Sequence, residues 1–412
     1  MIESNASTIL CIASFFKGND FIRECKRRGS RVVLLTREKL LTADWARESL
    51  ADLIAIPGKT SVASYLGAAT QVARHRRVSR VVALEEYDIV TAAHIREHLC
   101  VPGMGATIAR CFQDKLAMRA QARDRGLPQA EFVPLFNYEA IAEFMKRTSP
   151  PWMLKPRLGA SAMGIRKLEE PESVWRAIAE LDTREAFHET SAFHLLEQYI
   201  PGDVYHVDSL VAGGKILFAS VERYGVPPFD VTHFGGVTVS HTVKRSARER
   251  RLLLALNRRL LKSFGFEQGV THAEFIRPAE SHAKDQFYFL EVAARVGGAH
   301  TTDTIAAASG INPWHEWARI ELATAEQPYV LPAIRQEYGG LALSLARQEH
   351  PSTAGYTDPE IVYRVCKPWH VGLVVRSPDY ERVIDLLAQY THRFKEDFTA
   401  VAPPEERPGQ HL

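Results

Sequence analysis

Two glutamates sit in strongly apolar surroundings: Glu274 in the run Thr271-His272-Ala273-Glu274-Phe275, and Glu291 in Phe287-Tyr288-Phe289-Leu290-Glu291-Val292-Ala293. A carboxylate in such a strand is rarely left unpaired, because an isolated buried charge is costly. If the two strands pair, both carboxylates could face one site and hold Mg²⁺ (or Mn²⁺), hard cations that take oxygen ligands. The alternative is a pair of buried salt bridges, to Arg277 or Arg295. Lys155 follows Trp152-Met153-Leu154 at the end of an apolar strand, so its ammonium either snorkels outward or points into a cleft. Next come small residues flanked by Gly159 and Gly164, with Ser161 between them. Such a loop can bring backbone N–H groups against phosphate oxygens, or simply connect a hairpin; both readings stand. Lys115 follows Asp114, a residue type that caps helices, and alone it reads as a solvated surface lysine. Arg295-Val296-Gly297-Gly298-Ala299-His300 offers a guanidinium and two flexible backbone positions, suited to an anionic phosphate or carboxylate.

Elements must carry these residues. Over the first hundred positions, apolar runs at 9–14, 31–36, 52–56 and 78–84 alternate with helical patterns at 20–28, 61–77 and 89–99, which predicts a small, mostly parallel, doubly wound sheet. The first turn reads Ser14-Phe15-Phe16-Lys17-Gly18-Asn19-Asp20, with one glycine where a dinucleotide fingerprint needs three, so a dehydrogenase is disfavoured. A helix is expected over 114–125, closed by Gly126. Beyond it, strands are expected at 131–134, 152–155, 165–167, 193–199, 204–211, 215–223, 270–277, 286–293, 339–346 and 370–376. The accompanying helices are at 138–146, 171–181, 247–264 and 379–390. The polar, proline-rich tail 402–412 is expected to be disordered.

At 412 residues the chain is too long for one core, and 46% hydrophobic with 24% charged residues is ordinary for a globular protein. The net charge of +2 gives no field that would draw nucleic acid or a membrane surface. The basic run at 74–77 reads as a helix end in solvent. Five cysteines without C-x-x-C spacing suit free thiols, and no run reaches membrane-spanning length or forms a signal peptide, so a soluble cytoplasmic protein is expected. Sixteen histidines include His206, His233, His241, His272 and His300 near these motifs, none at metal-site spacing. His272 and His300 are the two considered for substrate contact.

The order and spacing of the motifs resemble the ATP-grasp superfamily, especially its carboxylate–amine ligases (biotin carboxylase-like and amino-acid ligase members), over about residues 80–320. The resemblance implies an α/β and α+β multidomain chain: an N-terminal doubly wound sheet over 1–113, then an ATP-grasp fold with a small lobe at 114–200 and a large catalytic lobe at 201–325. A C-terminal α+β subdomain at 326–400 and the tail 401–412 complete it. It further implies that Lys115 and Lys155 hold ATP phosphates under the Gly159–Ser161–Gly164 loop. Glu197 and the backbone of Gln198, Tyr199 and Ile200 would meet adenine, Glu274 and Glu291 would hold Mg²⁺, and Arg295 would act near the transferred phosphoryl group. Two positions depart from the pattern: Ala293 stands where a second metal strand commonly has asparagine, and Val204 where a glutamate often holds the ribose, leaving Asp203 as its candidate substitute. The implied reaction joins a small-molecule carboxylate to an amine through an acyl phosphate, releasing ADP, with no nucleic-acid or membrane partner and a homodimer as the candidate assembly. Its rivals are carboxylation of a biotin-like acceptor through carboxyphosphate and an ATP-binding protein that has lost catalysis.

Overall fold

In a computed structural model, described for residues 7–57, 61–279 and 286–401, β1 (Thr8–Ala13) is buried along its whole length and β2 (Arg31–Arg37) along all but its ends. Strands of a parallel sheet covered on both faces must read this way. Helix α1 (Asn19–Arg27) links them, and β3 (Asp52–Ile56), α2 (Val62–His75) and β4 (Val78–Ala83) complete a parallel sheet of order β3-β2-β1-β4. The order reverses between β1 and β4, the place where open α/β sheets bind ligands at their carboxyl ends. There Ser14 donates its backbone N–H to Asp88 at 2.6 Å. Helices α3 (Ile89–Leu99) and α4 (Ala106–Arg110) lead to α5 (Lys115–Asp124), whose N-terminus is capped by the Asp114 carboxylate, 3.0 Å from Leu116 N. Gly126, at φ 62°, lets Leu127 N return to Ala122 O and close the helix.

The next unit contains β5 (Phe132–Pro134), α6 (Tyr138–Arg147), β6 (Trp152–Pro156), β7 (Arg166–Leu168), α7 (Pro171–Asp182) and β8 (His194–Gln198). Its antiparallel sheet has the order β5-β8-β6-β7 and closes over a core of Phe144, Trp152, Leu154, Val174 and Leu196.

The rest is organised by one eight-stranded antiparallel sheet. Its strands and helices are β9 (Gly202–Ala212), β10 (Lys215–Tyr224), α8 (Pro228–Phe234), β11 (Thr238–Thr242), α9 (Arg248–Ser263), β12 (Gly269–Pro278), β13 (Tyr288–Ala293), α10 (Thr301–Ser309), α11 (Pro313–Leu322), β14 (Tyr338–Leu345), β15 (Ile361–Arg364), β16 (His370–Ser377) and α12 (Tyr380–Asp397). The sheet order is β13-β12-β9-β10-β11-β14-β16-β15. Leu253, Asn257, Leu260 and Leu261 form the buried stripe of α9, the i, i+4, i+7, i+8 pattern of a helix laid on a core. The segment expected as a separate C-terminal subdomain extends this same sheet, because β14 pairs with β11, although it keeps its own apolar cluster around Tyr390 and Phe394.

Six elements have no counterpart in the sequence reading: α4, α8, β11, α10, α11 and β15. Helix α10 is buried on nearly every side, so it shows no polar stripe and no helical period. Helix α12 runs past the expected end at 390, since Phe394 continues the buried line of Leu387 and Tyr390. The five cysteines are free thiols. Among the described residues, no helix is long and apolar enough to cross a membrane. Apart from Val401, the tail lies outside the described residues.

Candidate active site

A pocket opens between the small antiparallel sheet and the start of the eight-stranded one, with Met153, Val204, Ile276, Tyr199 and Phe229 among its apolar walls. Lys115, Lys155, Gly159, Ser161, Glu197, Gln198, Ile200, Glu274 and Glu291 all line it. Residues spread over 177 positions of sequence thus share one cavity.

Lys115 is buried, against the solvated reading its local sequence suggests. It donates to Gly159 O at 2.6 Å and pairs with Glu291 at 3.3 Å. Burial opposes its charge, yet Glu291 and Glu86 outweigh that and hold its pKa above an ordinary lysine's. Lys155, carried in by buried β6, reaches Glu197 Oε2 at 2.5 Å. Arg119 grips the same carboxylate through Nε and Nη2 at 2.6 and 3.2 Å, and its Nη1 donates to Phe289 O at 3.0 Å. Burial pushes the Glu197 carboxyl up, but the two cations prevail and bring it down to about 2. The Glu197 side chain is therefore committed to Arg119 and Lys155. Beside it Gln198, Tyr199 and Ile200 line the same pocket, so of the segment expected at adenine the Glu197 carboxylate is taken up by two cations, a pairing that the sequence of α5 does not announce.

The loop after β6 is held in an unusual backbone state. Gly159 and Gly164 have φ 146° and 68°, and between them Ser161 and Ala162 have φ 56° and 57°. Two consecutive side-chain-bearing residues in the left-handed region are strained, and such strain persists where surrounding contacts impose it. One contact comes from the N-terminal unit: Ala160 N donates to the Tyr87 hydroxyl at 3.1 Å. At the loop's start, Arg157 pairs with the Asp114 carboxylate and lies over the Phe193 ring.

Glu274 and Glu291 occupy opposed positions on β12 and β13. Neither salt bridge considered from sequence forms: Arg277 pairs with Asp203 and Arg295 with Glu86. Glu274 accepts from Tyr224 Oη at 3.1 Å and lies 3.5 Å from His272 Nε2. Burial raises its pKa, but His272 outweighs that and keeps it below the usual carboxylate range. Glu291 is about one-third exposed, facing the pocket with Lys115 as its ion-pair partner. Two carboxylates on one wall, beside a phosphate-sized loop, fit a hard divalent cation that completes its shell with phosphate oxygens and water. Ala293 adds no donor.

Arg295 lies beside the pocket, bound to Glu86 Oε2 at 2.8 Å. Its neighbour Glu85 holds Lys17 at 3.0 Å, so adjacent acids on the N-terminal unit each take one cation. Sequence reasoning missed Arg119, Tyr87, Lys17, Glu85, Glu86 and α8; the consecutive acids after β4, at the sheet's switch point, were the available signal. Gly297 also has a different explanation from flexibility. A Cβ there would come within 2.8 Å of Asp208 Oδ1 and 3.0 Å of His272 Nδ1, so close packing demands glycine. Asp208 bridges His206 and His272 at 2.6 and 2.9 Å, and these bonds account for the closeness of the three side chains. His300 bonds Asp303 at 2.8 Å.

Asp203, expected as the substitute ribose ligand, does not line this pocket. Alternation along β9 sends Val204 into the pocket and Asp203 to the other face, where Arg223 and Arg277 bind it at 2.8 and 2.7 Å.

Residues 148–303 match the ATP-grasp domain family. The chain carries an ATP-grasp domain. Lys155, Glu197, Glu274 and Glu291 lie within that span, and Lys115 precedes it. A curated relative, the L-arginine-specific L-amino acid ligase of Bacillus subtilis, is 24% identical over 245 residues. That stretch is 59% of this chain and 57% of the relative, just over half its length. Among solved structures, an L-amino acid ligase from Bacillus licheniformis superposes with TM-score 0.73 at 14% identity, over 97% of this chain and 100% of that one. Carboxyaminoimidazole ribonucleotide synthase from Aspergillus clavatus, complexed with ATP, gives 0.71 at 14% over 94% and 99%. Biotin carboxylase from Campylobacter jejuni gives 0.65 at 16% over 95% and 91%. These structures share the overall fold of nearly the whole chain.

Proposed function

We propose that the protein is an ADP-forming ligase that activates a carboxylate with ATP as an acyl phosphate and couples it to an amine. The observation that carries this reading is the opposed pair Glu274 and Glu291, on one pocket wall with Lys115 bonded to Glu291. Phosphoryl transfer needs positioning and charge neutralisation more than covalent help from the protein. Bound Mg²⁺, held by Glu274 and Glu291, would supply part of that neutralisation. Lys115 and Lys155 offset the remaining phosphate charge, and N–H groups of the 159–164 loop bond its oxygens. Met153, Val204 and Ile276 give the base an apolar bed against the 198–200 backbone. The carboxylate oxygen attacks the γ-phosphorus and ADP leaves; the amine nitrogen then attacks the acyl carbon, phosphate leaves, and the nitrogen sheds a proton. Arg295, held by Glu86 beside the pocket, would serve as a donor to the tetrahedral oxyanion. Acyl phosphates hydrolyse readily, so the roof of the pocket must exclude water.

Both named L-amino acid ligases support free amino acids as the first acids and amines to try. The deciding experiment is ADP release over pairs of carboxylates and amines, with mass spectrometry of products. ADP formation that needs both partners and yields an amide supports the ligase. Vigorous release with bicarbonate and biotin supports the carboxylase, and release without any acceptor overturns both.

A further inference from the structure

Helix α8 buries none of its seven residues, yet Pro228, Phe229 and Asp230 line the nucleotide-sized pocket. Something other than core packing must hold it there. Its second turn carries His233, whose Nε2 lies 3.0 Å from Ile165 O, at the end of the strained 159–164 loop. Its Nδ1 lies 2.9 Å from Phe229 O, and the imidazole stacks on the Phe229 ring at 4.1 Å. One ring thus joins three things: the loop over the phosphates, the helix over the opposite wall, and the aromatic side chain that faces the pocket. Beyond α8, Gly235 and Gly236 have φ 75° and 129°, conformations that side chains resist, and a Cβ on Gly235 would meet Val401 Cγ2 at 2.6 Å.

We propose that His233 is a positioning residue for the phosphate loop, clasping α8 to Ile165 so that helix and loop close the pocket as one roof. This rests on the reading of the pocket as an ATP site. The loop's own bonds to Lys115 and Tyr87 fix its first half, at Gly159 and Ala160. Without His233 the second half, from Met163 to Ile165, loses its bond to α8. A roof that opens there admits water to an acyl phosphate. The clasp needs the proton on Nε2, since Ile165 O can only accept, and the N–H of a glutamine amide can serve the same carbonyl.

Hydrogen exchange over residues 159–166 tests the clasp, with and without magnesium adenylyl imidodiphosphate. His233→Ala is expected to exchange about fivefold faster there in both states, the ratio that one ordinary hydrogen bond supports, and His233→Gln to stay near the parent. The nucleotide-free arm needs no assumption about the reaction. If the parent makes no amide while exchange responds this way, the ligase reading fails and the clasp stands. With an active substrate pair, His233→Ala should release more than one ADP per amide, and His233→Gln should restore the ratio. Exchange in His233→Ala equal to the parent's in both states overturns the proposal, as does an identical ADP-to-amide ratio. Because α8 buries no residue, neither variant removes core packing, and circular dichroism checks that the fold is kept.

Discussion

Glu274 stands directly across the β12–β13 ladder from Glu291. Like charges in that relation destabilise a sheet unless other groups answer them. Here His272 and Tyr224 answer one, and Lys115 the other. Glu291 is the more open of the two, and when its charge is removed Glu86 remains as a second acid near Lys115. Replacing it with glutamine keeps the shape and removes the charge. Glu291→Gln is expected to retain its circular dichroism spectrum and lose at least ~100-fold in ADP release, the scale of deleting one electrostatic catalytic group. Normal turnover would sink the metal assignment.

Lys155 shares the Glu197 carboxylate with Arg119. Because Arg119 remains, Lys155→Ala leaves Glu197 paired and the fold intact, while a phosphate group loses its nearest cation on that wall. A hydrogen bond to a charged group is worth roughly 1.5–3 kcal/mol, so ATP binding should weaken by about one to two decades. Titration calorimetry reads this directly, and an unchanged affinity would count against the phosphate clamp.

How far the sequence led depends on which forces reveal themselves locally. The strands carrying Lys155, Glu274 and Glu291 were legible because apolar runs interrupted by one charge have few explanations. Their convergence was only an inference from motif order, since nothing local says that β12 pairs with β13. Arg119 was invisible for the opposite reason: an arginine on an amphipathic helix ordinarily faces solvent, and only its long-range bond to Glu197 turns it inward. Asp203 misled because choosing the face of β9 requires the register of that strand, which the sequence leaves open by one residue. Helix α8 went unread because it buries no residue and so leaves no apolar stripe.

Glu222 is fully buried behind the site, 3.5 Å from His206 Nε2 and bonded to Ser240 at 3.2 Å. Burial raises its pKa from 4.5 to about 7 despite His206. A carboxyl whose folded pKa is raised contributes stability that is fully present below about pH 4.5 and lost as pH rises through about 7. Glu222→Gln mimics the protonated form at every pH. Urea midpoints of parent and variant should therefore nearly coincide at pH 4.5 and diverge by pH 8.5, the variant being the more stable. The shift corresponds to a difference on the order of 3 kcal/mol. Other titrating groups cancel between the two proteins, and a constant gap across this range would refute the assignment.

The ribose end of the pocket yields the last prediction. Val204 lines the cavity, on the proposed reading beside the ribose, and Asp203 is turned away to Arg223 and Arg277. Ile276, its partner across the β9–β12 ladder, is also apolar and also lines the pocket. A site that hydrogen-bonds a hydroxyl strongly rejects analogues lacking it, whereas an apolar wall barely registers the loss. The protein should therefore use ATP and 2′-deoxy-ATP with similar kcat/KM. Val204→Glu places an acceptor on this wall and is expected to create a preference of ~1 kcal/mol for ATP, about fivefold. Desolvation of the new carboxylate works against that gain, so the variant's melting temperature should fall, while bound ATP recovers part of the loss by satisfying the charge. The measurement is kcat/KM for both nucleotides in parent and variant. A parent that already rejects the deoxynucleotide by a hundredfold would show that another group on this wall holds the ribose.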